Sequence, residues 1–116
     1  DGTDLVISAN NLTIDAAADI ILDAAGNNLS FKSGGTAILD IVNSSSDVVI
    51  KPMVDAKDII FQQYDGTEVA RIEDNATLNV VTDKLAINGT AITKSASEIN
   101  DLTSTGKAIA FAMIFG

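Results

Sequence analysis

The side chains in this sequence best suited to chemistry are carboxylates. Asp15, Asp19, Asp23, Asp40, Asp47, Asp55, Asp58, Asp65, Asp74 and Asp83 are expected in or beside turns. Oxygen ligands gathered in turns are what a calcium ion takes. Asp and Asn also favour turns for a local reason, since they bond to backbone amides and tolerate left-handed geometry. No stretch has the spacing of an EF-hand loop or of the Gly-Gly-x-Gly-x-Asp nonapeptide of calcium-binding β-rolls, so the turn reading is favoured and no metal site is assigned. Two acids held at a defined separation could hydrolyse a glycosidic bond. Nothing singles out such a pair, and the aromatic platforms that stack on sugars are scarce, being limited to Phe31, Phe61, Tyr64, Phe111 and Phe115. A polysaccharide-degrading activity therefore ranks last among the readings of this chain.

Other constellations are absent by composition. The 116 residues include no His and no Cys, which removes disulfides, zinc sites of the thiolate and imidazole type, Cys nucleophiles and His-based triads. No catalytic residue and no cofactor site is assigned. Asn-x-Ser/Thr occurs at Asn11, Asn28, Asn43, Asn75 and Asn88. Glycosylation is one reading, but Asn-rich turns feeding strands rich in Thr and Ser generate the same pattern. Lys32, Lys51, Lys57, Arg71, Lys84, Lys94 and Lys107 are spread singly beside strand-like runs, where they guard solvent faces and pair with acids. A net charge of −9 leaves no basic face for nucleic acid. No apolar run is long enough to insert in a membrane, and no leader-like segment opens the chain. The first residue is Asp1 rather than Met, from which a processed chain or a piece of a longer parent is expected.

The elements that carry these residues are short strands. Apolar runs at Leu5 to Ile7, Leu12 to Ile14, Ile20 to Leu22, Leu29 to Phe31, Ala37 to Ile41, Val48 to Ile50, Ile59 to Phe61, Val69 to Ile72, Leu78 to Val81 and Leu85 to Ile87 alternate with turn residues. Several show period 2, the mark of a strand with one buried face. Residues 13–25 also place Ile14, Ala18, Ile21, Leu22 and Ala25 on one helical face. That helix would set Asp15, Asp19 and Asp23 in repelling i, i+4 positions, so strand is favoured.

An internal repeat orders the runs. Residues 31–41 align with 61–72 at an offset of 30 that becomes 31, and the two copies extend over about 31–50 and 61–81. Gly35-Thr36, Gly66-Thr67 and Gly89-Thr90 mark equivalent turns, with Gly supplying positive φ and Thr opening the next strand. Residues 1–92 thus read as a repetitive all-β region. A period of this length holding three short strands fits one coil of a β-solenoid, a β-helix-like stack. A β-sandwich is the alternative, and Asn88-Gly89 and Asp65-Gly66 are its hairpin signals.

Residues 93–116 follow a different grammar. Ser95-Ala96-Ser97-Glu98 has capping-box spacing and predicts one short helix, Ala96 to Leu102, with Ile99 and Leu102 on its inner face. Beyond it, Ile109, Phe111, Met113 and Phe115 alternate with Ala in a wholly apolar terminal strand. Such a strand needs burial against another part of the chain or another subunit. With five aromatics and much Ala, a solitary core would be thin, so Ile99, Leu102, Ile109, Phe111, Met113 and Phe115 are expected at an oligomer interface.

Residues 33–41, 65–72 and 84–93, the last leading into Ser95 to Leu102, resemble repeats in tail fibres and related virion fibre proteins of marine bacteriophages. The segment Lys107 to Gly116 is similar to the closing segment of such chains. The resemblance implies a homotrimer whose chains wrap or pack side by side. It implies a structural role in the virion, outside cells, with partners in other virion proteins and a glycan or protein of the host surface. The chain is far shorter than a whole fibre and shows no virion-anchoring region. A subunit of an open extracellular filament, assembled by strand addition, is the alternative.

Overall fold

The computed structural model describes residues 2–102. Eight strands and one helix follow in order: β1 Asn28–Ser33, β2 Thr36–Ser44, β3 Asp47–Pro52, β4 Ile59–Gln62, β5 Glu68–Ile72, β6 Leu78–Val80, β7 Ala86–Ile87, β8 Thr90–Ala91 and α1 Ala96–Leu102. They form three separate antiparallel sheets, β1-β2-β3, β4-β5-β6 and β7-β8. The all-β class with one short helix is thus what the chain adopts.

The two larger sheets are copies of one design. Phe31 faces Leu39 and Lys32 faces Ala37, so Ile38 bulges from β2. Phe61 faces Ala70 and Gln62 faces Glu68, so Val69 bulges from β5. Ile38 and Val69 are equivalent in the repeat, and each turns its carbonyl to the third strand, accepting from Met53 N and Val81 N at 3.0 Å. A bulge re-aims the chain by inserting one residue, and its recurrence at the same place makes the repeat structural as well as textual.

The pairing places the 30-residue period differently from a solenoid coil. Tight connections reverse each strand onto its predecessor, which is open to antiparallel strands and closed to parallel ones. Three strands per repeat therefore make a β-meander, and pairing of coil on coil is absent among the described residues. The Asn88-Gly89 hairpin signal holds, with φ of 49° and 82° at the two turn residues. It adds β8, which Thr90 opens.

The first three runs behave otherwise than expected. Leu5 to Ile7, Leu12 to Ile14 and Ile20 to Leu22 form neither strand nor helix, and residues 2–23 make no backbone hydrogen bond within the described chain. A strand exists only through a neighbour, and these triplets have none among the described residues.

No hydrophobic side chain among the described residues is buried, and Asp40, 6% exposed, is the one buried residue. The molecule measures 81 × 33 × 30 Å with a radius of gyration of 22.6 Å. A compact domain of this length has a radius of about 13 Å.

Candidate association surface and its polar pairs

The register sorts each meander into two faces. In the first, Leu29, Leu39, Ile41 and Ile50 lie on one face with Phe31, Val48 and Pro52, while Ser30, Asp40 and Lys51 stand opposite one another on the other. In the second, Ile59, Ile72 and Leu78 share a face with Phe61, Ala70 and Val80, while Ile60, Arg71 and Asn79 line the reverse. One face is apolar in both copies apart from Asn43, which stands opposite Val48 in the first. It is open: Val48, Ile50, Phe61 and Leu78 are each more than half exposed. A groove of about 450 Å³ on the first meander is lined by Leu22, Leu29, Ile41 and Val48 together with polar residues that include Asp23, Asn43 and Asp47.

The reverse faces carry a polar pair at equivalent positions, with the carboxylate on opposite members of the pair. Asn28 Nδ2 donates to Asp40 Oδ2 at 3.1 Å, and Asp40 Oδ1 receives no hydrogen bond. In the second copy the places of Asn28 and Asp40 belong to Asp58 and Arg71. Arg71 donates to Asp58 Oδ2 at 2.6 Å and grips Glu68 with two nitrogens, Nε at 3.0 Å and Nη2 closer still. The forked guanidinium fits a carboxylate through two parallel bonds. Its hydrogen bonds to Arg71 hold the Glu68 carboxyl below the usual carboxylate range, and the two acids raise Arg71 further above its already high value. Asp58 Oδ1 also accepts from Asp74 N at 3.1 Å. Asp58, Glu68 and Arg71 are thus committed to one another, an arrangement that fastens β5 to the entry of β4.

Asp40 departs from the turn role expected of it, since it sits at the centre of β2. Asp65 fulfils that role. Its Oδ1 accepts from Thr67 N at 2.9 Å, and that bond holds its carboxyl below the ordinary value. Asn75 does the same for Thr77 N at 3.1 Å. Loops 63–67 and 73–77 are therefore twins, each closed by matching backbone bonds, with Gly66 at φ 88° and Ala76 at φ 67° in the same position. Gly35, at φ 85°, precedes Thr36 at the start of β2, and Gly89 precedes Thr90 at the start of β8. Thr67 ends a loop one residue before β5. No three His, Cys, Asp or Glu side chains are grouped as metal ligands among the described residues. Asn43 and Asn75 spend their side chains on local hydrogen bonds, Asn43 Oδ1 accepting from Ser46 N at 2.8 Å, and Asn28 spends its own on Asp40 in the next strand.

The helix begins as its capping box predicts. Glu98 N donates to Ser95 Oγ at 3.2 Å, and Ser95 N donates to Glu98 Oε2 at 2.8 Å. Bonding to Ser95, aided by Lys94, keeps the Glu98 carboxyl below its ordinary value. Ile99 borders a cleft with Val80, Val81, Leu85 and Ile92. Leu102, expected on the inner face, is 71% exposed. Ile109, Phe111, Met113 and Phe115 lie outside the described residues.

The apolar meander face was not assembled from sequence, although its signal is there. Period 2 marks Leu29 and Phe31, Leu39 and Ile41, Val48 and Ile50, Ile59 and Phe61, and Leu78 and Val80 one strand at a time. Only the register aligns these pairs into two sheets with matching faces. Comparison with protein-family models, with curated proteins and with solved structures finds no match to this chain.

Proposed function

We propose that this chain is a non-catalytic structural module of a homotrimeric fibre, a phage tail fibre engaged in attachment to the host surface. One observation carries the structural part: an 81 Å long chain has no buried hydrophobic side chain among its described residues. Folding is driven by burial of apolar surface, so a chain that buries so little alone obtains its core from other copies. Repeated meanders spaced along a long axis are suited to a rigid shaft, in which modules stack along the axis of the trimer. The assignment to a virion and to host attachment rests on the resemblance of the repeat motifs to marine phage fibres.

The unpaired backbone of residues 2–23 favours a second reading, a filament subunit that donates this extended segment to a neighbour's open sheet edge. The two differ in symmetry, since a threefold assembly closes whereas strand donation continues indefinitely. Sedimentation or light scattering of the purified chain separates them. A single species of three chains is the expected result. A ladder of sizes would establish the filament instead, and a folded monomer would overturn both.

A further inference from the structure

We infer that the apolar faces of the two meanders are the contact between copies of this chain, with each meander set against its own counterpart in parallel register. The interface is centred on Phe31, Ile41 and Ile50 in the first meander and on Phe61, Ile72 and Leu78 in the second. The parallel arrangement rests on the trimeric reading above, because a threefold axis makes all copies parallel.

The partner is a second copy for two reasons. First, the apolar positions recur at the same register, beside the same bulge, in both copies of the repeat, whereas the reverse faces carry Asp40 in one and Arg71 in the other. A partner covering both faces needs the same spacing along its length, and another copy of this chain has it by construction. Second, the chain exposes 10270 Å². A compact monomer of 12.0 kDa exposes about 6000 Å². The excess of roughly 4000 Å², spread over the whole chain, is well above the about 800 Å² that each partner gives to a standard interface, and the open apolar faces contribute to it.

Adjacent residues of β4 supply the test, since Ile60 and Phe61 have similar exposure and point to opposite faces. Ile60→Ser reproduces the residue that the first repeat carries there, Ser30. The full-length chain with Ile60→Ser should assemble at concentrations within about threefold of the unmodified chain. Phe61→Ser and Leu78→Ser should each raise the concentration of half-assembly about tenfold or more, the equivalent of about 1.4 kcal/mol. Retention of the oligomer by both variants at unchanged concentration would overturn the assignment of the face. Should serine at these positions prevent folding, single cysteines decide, because the chain has none of its own. Ile50→Cys and Leu78→Cys should each link to themselves through a short bismaleimide. No link at either position would overturn the interface, and links confined to mixtures of the two variants would overturn parallel register.

The outcomes also separate this inference from the fibre reading. A dimer dispersed by Phe61→Ser keeps the face and removes the threefold arrangement. A trimer indifferent to Phe61→Ser and Leu78→Ser does the reverse. A monomer in which Phe61 and Leu78 are shielded would show that the chain covers the face itself, and would overturn the inference.

Discussion

At the scale of residues, the polar groups hold elements together and leave the apolar faces free. Arg71 binds two acids on one side of the second meander, so its replacement leaves Asp58 and Glu68 close together without a cation. Arg71→Met should lower the melting temperature at neutral pH. The Glu68 carboxyl is depressed in the folded chain, so its contribution is present above the ordinary value of 4.5 and lost as pH falls through the depressed one. The difference in melting temperature between Arg71→Met and the unmodified chain should therefore shrink on acidification, which calorimetry across pH would register. Glu98 obeys the same sign. Its bond to Ser95 N persists down to 4.5 and is lost below it, so the Ser95 amide resonance should titrate with a midpoint under 4.5. In Glu98→Gln that resonance should stay unchanged with pH, because an amide oxygen still accepts and no longer ionises.

At the scale of elements, the repeat explains itself through its loops. Gly66 and Ala76 occupy one loop position with positive φ, which a Cβ disfavours by about 1 kcal/mol or more. The space around Gly66 is open, so a methyl group there meets backbone strain alone. Gly66→Ala should destabilise by about 1 kcal/mol, and Ala76→Gly should stabilise by up to about the same amount, less the entropy gained by the unfolded chain. Chemical denaturation of the two variants at equal concentration would show shifts of opposite sign. The offset of 30 that becomes 31 and the Gly-Thr turns were legible in the sequence as repeated motifs, whereas the twin bulges and the likeness of loops 63–67 and 73–77 depend on the pairing. The topology of the repeat was less legible, because three short strands per period suit a coil as well as a meander. What decides is hydrogen bonding: connections of a few residues return each strand antiparallel to the last. The capping box, by contrast, predicted α1 over Ala96–Leu102 because all its determinants lie within four residues.

At the scale of the whole molecule, the proposed assembly couples stability to association. When the folded form is an assembly and the unfolded form is a single chain, mass action makes the melting temperature depend on concentration. The melting temperature should rise with each tenfold increase in chain concentration. Independence of concentration, with intact sheets at the lowest concentration, would mean that the meanders are stable alone. The extended segment at residues 2–23 belongs to the same coupling: Leu5, at 88% exposed, and the apolar residues after it have no partner in the described chain. Their strand-like pattern is real in the sequence and idle among the described residues, since a ladder needs a second strand.

The sequence by itself determined the properties that depend on residue type and near neighbours. Absent His and Cys excluded whole chemistries, the turn residues set the period, and Ser95 with Glu98 set the start of the helix. Tertiary structure decided what depends on register across strands. It showed that Asp40 and Arg71 are the same position in two copies of one meander, and that apolar pairs scattered through six strands compose two matching faces. A one-residue slip in any pairing would turn an entire strand over, and the identity of a residue does not specify which strand lies beside it.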